Sequence, residues 1–139
     1  MPMDEALVAR LVAVPAISAI VDDRVSWFER PPADGTGTAL NAIVLTEITP
    51  GRDWTHDGPD GLDEPRVQID CWAAQPSVAL ALARAVQTEM ERLDVVTVDD
   101  WVFEPCASLE LRRRDTERLG NGVNIHRVQL DFTFFHHAA

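Results

Sequence analysis

A strand pattern over residues 66–72 runs through Pro76 into a long apolar helix pattern over 77–93, and this combination constrains the fold more than any other part of the sequence. In the strand, apolar residues alternate with polar or amphipathic ones, as one buried face requires. A closely similar strand pattern recurs at 127–133. Two strands with the same alternation and a helix between them predict an α+β protein, with an antiparallel or mixed sheet of about four to five strands.

Weaker patterns complete this outline as a single domain over residues 1–139. An N-terminal helix is predicted over 4–14, because acidic residues at its start suit the positive end of the helix dipole, and Pro15 ends or kinks it. Further strands are predicted at 24–28, 39–46, 101–111 and 123–135. Long loops are predicted at 29–38, 49–65 and 112–122. A loop as long as 49–65 inside a compact domain is typically functional, or orders only when bound.

The composition indicates an acidic globular chain with room for one core. The chain has 139 residues, a formal net charge of −11 and no lysine, with 23 acidic residues against 12 arginines. An acidic surface repels phosphate backbones, which disfavours sequence-specific binding of nucleic acid but allows nucleic acid to pass close by. No apolar run is long enough to span a bilayer, so no membrane contact is predicted.

Two of the predicted loops carry candidate interface residues. The 112–122 connection contains four arginines within seven positions: Arg112, Arg113, Arg114 and Arg118. This cluster is either a docking site for an acidic partner or the solvated tip of a hairpin. In the 49–65 loop, Trp54 is a candidate interface anchor, because exposed aromatic side chains often carry binding energy. His56 lies beside it in the same loop.

The strongest hypothesis for chemistry concerns two carboxylates. Asp70 and Asp131 occupy equivalent positions in the two similar strands, and paired carboxylates can serve acid–base catalysis, with His126 as a further polar residue. The alternative is that they are solvated, or paired with Arg66 and Arg127 across the strands. The sequence has no nucleophile elbow and no phosphate-binding loop after a strand. It therefore predicts no catalytic residue and no cofactor.

Histidine and cysteine patterns predict no metal site. His136 and His137 are adjacent on a predicted strand, so their side chains point to opposite faces. The acidic residues around His56 lack the ordered spacing of a calcium loop. Cys71 and Cys106 lie far apart in sequence and are predicted to be reduced, structural thiols.

Several segments, taken in order, carry a resemblance to a known family. They are a proline-broken amphipathic helix at 7–17, a short strand start at 23–25, an apolar strand at 41–45, and the 66–73 strand with the alanine-rich helix after it. Together they resemble the tail-completion family of long-tailed phages, also called tail terminators or head–tail joining proteins, and the similar component of gene transfer agents. The 49–65 loop is longer than the family pattern.

This resemblance implies a non-enzymatic virion or gene transfer agent protein at the head-proximal end of the tail, made in the bacterial cytoplasm. Such proteins form a ring, usually hexameric, that caps the tail tube, stops further addition of tube protein and joins the tail to the head. The implied partners are further copies of the chain, the major tail tube protein and head–tail connector or adaptor proteins. DNA would pass through the lumen without specific binding.

In that role, the arginine cluster is expected to contact an acidic neighbour, and Trp54 and His56 to dock on the tube or the connector. Two other functions remain open at this point. One is a minor tail or connector adaptor protein at another position in the particle. The other is a small-ligand-binding or enzymatic α+β domain that uses the Asp70/Asp131 face.

Overall fold

The computed structural model describes residues 1–29, 40–49, 51–56, 58–120 and 123–139, with the backbone alone for 52–55, 58–62, 107–113 and 119–120. Within these residues the chain forms three helices and eight strands. The helices are α1 (Met3–Val12), α2 (Pro15–Val21) and α3 (Pro76–Met90). The strands are β1 (Val25–Trp27), β2 (Ala42–Thr49), β3 (Arg52–Thr55), β4 (Gly58–Asp63), β5 (Arg66–Ala73), β6 (Val96–Val98), β7 (Trp101–Gly120) and β8 (Val123–Ala138). The α+β class is confirmed, and the expected four to five strands were too few.

All eight strands join one mixed sheet. β1 is parallel to β2, and the other pairs are antiparallel. β8 is the central strand: it pairs with β7 along one edge, and with β5 and then β4 along the other. The two strands with similar sequence patterns, β5 and β8, are therefore direct neighbours, aligned from Arg66 opposite Thr133 to Ala73 opposite His126.

The core lies between the helices and one face of this sheet. The register sets apolar side chains of β2, β5 and β8 in rows across the strands: Ile43–Cys71–Val128, Leu45–Ile69–Leu130 and Val67–Phe132. All of them are buried. α3 covers these rows with Ala79, Leu82, Ala83, Val86 and Met90. Burying this alternating face is the reason that the register is fixed, since a shift by one residue would expose it.

The helices differ slightly from their predicted bounds. α3 begins at Pro76, which the first turn of a helix tolerates, and ends at Met90. Leu93 lies beyond this end, and its side chain is 92% exposed. α1 ends at Val12, and Pro15 is the first residue of α2. Among the described residues, no helix is long and apolar enough to cross a membrane.

α1 bridges two distant parts of the sheet. The indole nitrogen of Trp27, in β1, donates a hydrogen bond of 3.0 Å to the backbone oxygen of Asp4. The indole nitrogen of Trp101, in β7, donates one of 2.7 Å to the backbone oxygen of Met1. α1 thus contacts both ends of a curled sheet, and its Leu7 and Leu11 are fully buried beneath it.

The predicted 49–65 loop is mostly a β-hairpin, so this prediction was wrong. β3 and β4 pair with each other, and they extend the β2–β5 pair past Gly51. At this junction the backbone nitrogen of Glu64 donates to the backbone oxygen of Gly51 at 2.9 Å. Gly51 has φ +63°, and a Cβ there would lie 1.8 Å from the Glu64 oxygen. Only glycine fits so close an approach in the left-handed region.

The predicted 112–122 loop was also too long, because β7 continues to Gly120 and β8 resumes at Val123. These polar β7 residues are held in an extended conformation by their pairing with β8, in which Arg114 lies opposite Val128 and Arg118 lies opposite Asn124. The predicted loop 29–38 lies, after its first residue, outside the described residues.

Candidate interaction surfaces

The face of the sheet opposite the helices carries a row of polar side chains whose hydrogen bonds are made within the chain. Arg66 donates to one carboxylate oxygen of Asp131 from Nη2 at 2.7 Å and from Nε at 3.2 Å. Asp70 accepts from Gln129 at 2.9 Å and from Gln68 at 3.4 Å. Asp70 and Asp131 are only 6% and 5% exposed. Buried carboxylates held in this way are stabilised by their partners.

A second ion pair lies further along the same face. Arg127 donates to both oxygens of Asp115, at 2.6 and 3.0 Å, which fixes β7 against β8. Its guanidinium carbon lies 5.0 Å from the centre of the Trp72 ring. The side-chain hydrogen bond that Arg127 donates to Asp115 is the main cause of the raised pKa of Arg127. This bidentate, stacked geometry suits arginine and would not be kept by lysine.

These contacts decide between the two interpretations of the carboxylates. The expected cross-strand pairing is confirmed for Arg66 with Asp131, whereas Arg127 pairs with Asp115 rather than with Asp70. His126 bonds through Nδ1 to the Thr116 hydroxyl at 2.9 Å. The polar face therefore stabilises the pairing of β5, β7 and β8.

His136 and the two cysteines have structural environments. His136 is buried against the rings of Trp101 and Phe134, and desolvation lowers its pKa. Burial raises the pKa of the Cys71 thiol far above its usual range, and that of Cys106 to about 11. Both thiols are free, as predicted. Within the described residues, no group of three or more His, Cys, Asp or Glu side chains is placed to hold a metal ion.

The arginine cluster lies on a projecting hairpin, here named the basic hairpin and defined as β7 residues 112–120 with β8 residues 123–125. The pairing of β5 with β8 stops at His126, so these residues extend past β5. Arg114 and Arg118 are exposed, and neither makes an ion pair with a described residue. Arg112 and Arg113 are placed by their backbone in β7.

A shallow groove runs beside the basic hairpin. It has a volume of about 170 Å³ and lies between the first turns of α3 and the two strands. Pro76, Ala79 and Leu80 form its apolar side. The charged residues of its polar side are Arg114, Asp115 and Arg127, of which the last two pair with each other. An apolar groove rimmed by a cationic side chain is suited to a short acidic segment that carries some apolar surface.

The second projecting element is here named the acidic arm and is defined as residues 52–64 of the sequence, which include β3 and β4. The sequence gives it Asp53, Asp57, Asp60, Asp63 and Glu64 against a single arginine, Arg52. Asp63 pairs with His136 near the end of β8, so the rest of the arm extends past that strand. His56 is exposed in the turn after β3, and the backbone of Trp54 lies opposite Pro59.

The acidic arm and the basic hairpin lie at opposite ends of β8. Asp63 is opposite His136, and Arg118 is opposite Asn124. The twelve-residue step from Asn124 to His136 corresponds to roughly 40 Å of strand at about 3.3 Å per residue. The structure therefore does not bring together the candidate residues of the two segments.

An apolar site that the sequence reasoning missed lies at the β1 edge of the sheet. Phe28 is 71% exposed and has φ +66°, which is rare for a bulky residue. With Trp27, Met3, Asp4 and Glu47 it lines a groove of about 240 Å³. No sequence signal marks this position, because one aromatic residue after a three-residue strand has no periodicity to read.

Comparison with known proteins identifies the class to which this fold belongs. The fold is shared with a chain in the solved virion of a native gene transfer agent (GTA) particle, with a TM-score of 0.59 and 20% sequence identity over 97% of this chain and 94% of that chain. No curated protein matches the chain by sequence.

The family described as tail completion protein gp17 matches residues 5–137, and the chain belongs to this family. It is a structural protein of the virion tail, as the resemblance in its sequence indicated.

Proposed function

We propose that this chain forms a hexameric ring that caps the finished tail tube of a phage or gene transfer agent particle, ends tail polymerisation and joins the tail to the head. The observation that carries the proposal is the family match, which covers residues 5–137 and therefore includes nearly all of the three helices and of the sheet. A single rigid sheet with two projecting hairpins is suited to contacts with several neighbours at once.

The charge of the chain supports the ring. A formal net charge of −11 makes the lumen of such a ring repel the phosphates of DNA, so that DNA slides through without being retained. The proposed partners are further copies of the chain, the major tail tube protein and the head–tail connector or adaptor proteins. DNA is not bound specifically.

The candidate interface residues keep their proposed roles in this assembly. Arg112, Arg113, Arg114 and Arg118 contact an acidic neighbour through the basic hairpin. Trp54 and His56, on the acidic arm, dock on the tube or the connector. The support is their placement on hairpins that extend past the neighbouring strands, with Arg114, Arg118 and His56 exposed.

The proposed function requires no catalysis. The carboxylates that were the best candidates for an acid–base pair are buried and bonded to neighbouring side chains. A scaffold role explains the Arg66–Asp131 and Gln129–Asp70 bonds, because each of them ties β5 to β8.

Deleting the gene in its producing strain and imaging the released particles by negative-stain electron microscopy tests the proposal. Tails of uncontrolled length are expected, together with tails separated from filled heads. Tails of normal length without heads would instead indicate an adaptor at the connector. Normal particles with full activity would refute both roles.

A further inference from the structure

We propose that the acidic neighbour of the basic hairpin is the acidic arm of a second copy of this chain, so that each subunit inserts its arm beside the hairpin of the next. This inference rests on the proposed ring. It names the surfaces that would close the ring, and the opposite charges of the two elements are its first support.

Four charged side chains on the two elements make no ion pair among the described residues. Arg10, Arg66 and Arg127 each pair with a carboxylate inside the chain. Arg114 and Arg118 make no ion pair with any described residue and are exposed. On the arm, Asp63 and Glu64 also make no ion pair among the described residues, and both are partly exposed. Unpaired charges of opposite sign on two projecting hairpins are complementary.

The two elements cannot neutralise each other within one subunit. They lie at opposite ends of β8, roughly 40 Å apart along the strand. Charges separated by more than a Debye length, about 8 Å at physiological ionic strength, are largely screened from each other. The attraction therefore acts between copies, and it acts head to tail, which is the geometry that closes into a ring when the rotation between copies is constant.

The strand edges offer a backbone route for the same contact. β6 covers the outer edge of β7 only as far as Phe103, and from Glu104 to Gly120 that edge pairs with no described strand. The outer edge of β3 likewise pairs with no described strand. Open edges can pair across a subunit boundary, as in strand addition. The groove beside Arg114 then provides an apolar surface against which side chains of the arm can pack.

A charge-swap experiment in the deletion strain tests the pairing. The arm variant is Asp60→Arg/Glu64→Arg, and the hairpin variant is Arg114→Glu/Arg118→Glu. Either variant alone should reduce the yield of active particles by at least about tenfold, because like charges facing each other cost several kcal/mol and about 1.4 kcal/mol is one factor of ten. All four substitutions in one chain should restore the yield to within about threefold of the wild type.

Co-expression of the two variants should also restore the yield. An alternating ring places each reversed arm against a reversed hairpin and each native arm against a native hairpin. The matched control is Arg84→Glu, which reverses an exposed arginine of α3 that makes no ion pair with a described residue. It should leave the yield unchanged.

Disulfide cross-linking tests the same pairing even if a charge-reversed variant fails to fold. The variant Asp60→Cys/Arg118→Cys, oxidised within purified particles, should give a ladder of multimers on a non-reducing gel. Each single-cysteine variant should give none. The arm–hairpin pairing alone would be overturned if the double-cysteine variant gave no ladder. It would also be overturned if the charge reversals had no effect in a strain where the wild-type gene complements the deletion. Normal particles from the deletion strain itself would overturn the proposed function.

Discussion

The buried ion pair between Arg10 and Glu89 is expected to be the most sensitive polar contact in the core. Arg10 Nε donates to the Glu89 carboxylate at 3.1 Å, and its Nη2 donates to the Glu89 backbone oxygen at 3.1 Å. The guanidinium carbon also lies 5.3 Å from the centre of the Phe103 ring. One side chain thus joins α1, the end of α3 and β7. The proposed perturbation is Arg10→Met, which keeps an unbranched side chain over Phe103 and removes the charge.

The structure sets the size of the effect. The side chains of Arg10 and Glu89 are 4% and 10% exposed, so removing one partner leaves the other charge in a poorly solvated site. Breaking a buried pair in this way typically costs about 3–5 kcal/mol. Arg92, 3.5 Å from the same carboxylate, compensates for part of the loss from its exposed side. The expected loss in the free energy of unfolding is therefore near the lower bound, about 3 kcal/mol.

Urea and thermal denaturation followed by circular dichroism measure this loss. A decrease of about 3 kcal/mol corresponds to a Tm lower by roughly 10 °C for a domain of this size. The double variant Arg10→Met/Glu89→Leu should recover most of the stability, because no unpaired charge then remains. Arg84→Met is the surface control and should change the free energy by less than about 0.5 kcal/mol. A single Arg10→Met variant as stable as this control would refute the reasoning.

Three further predictions follow from local features. Gly51→Ala should lower the free energy of unfolding by about 2–3 kcal/mol, because alanine is strained in the left-handed region and its Cβ would clash with the Glu64 oxygen. Amide hydrogen exchange in β3 and β4 should accelerate as a result. Unchanged exchange would contradict this role of Gly51. The pKa of His136 is lowered by burial, so the folded state binds the proton less readily than the unfolded chain and stability should fall as the pH drops below the usual histidine value of 6.5. His136→Phe should reduce that fall, as measured by Tm between about pH 7.5 and 5, and an identical pH profile would count against it. Cys71, whose thiol is fully buried and has a raised pKa, should react with a thiol reagent at pH 8 only after unfolding, whereas Cys106, which is partly exposed, should react slowly in the native protein. Rapid labelling of native Cys71 would disagree with its burial.

The parts of the fold that could be predicted from the sequence are those that build the core. β5 and β8 show a clean alternation because one face of each packs beneath the helices, and α3 shows a helical stripe for the same reason. The helix was predicted to reach Leu93, because this residue continues the apolar spacing. The helix ends at Met90, and Leu93 is instead left exposed.

The missed strands have a different physical origin. β3 and β4 pair mainly with each other at the edge of the domain, and their sequences are rich in Asp, Gly and Pro, so no buried face imposes a period of two. The end of β7 is likewise polar and depends on its partner β8 for its extended conformation. The candidate interface residues are visible in the sequence through their charge and aromatic content, and they remain predictions, whereas the separation of their two segments to opposite ends of β8 could be read only from the register.

The central place of β8 also determines the order in which this sheet can form. β7 ends at Gly120 and β8 begins at Val123, so the two strands are close in sequence, whereas Asp70 and Gln129, which bond across β5 and β8, are 59 residues apart. Closing a chain segment of that length has an entropic cost on the order of 3–4 kcal/mol. This cost arises before the apolar side chains of β5 and β8 make any contact with each other. The β7–β8 hairpin should therefore assemble first and present β8 to β5. Until it does, β5 has one unpaired edge beside an exposed apolar face, and this is the stage at which the newly made chain is most prone to aggregate.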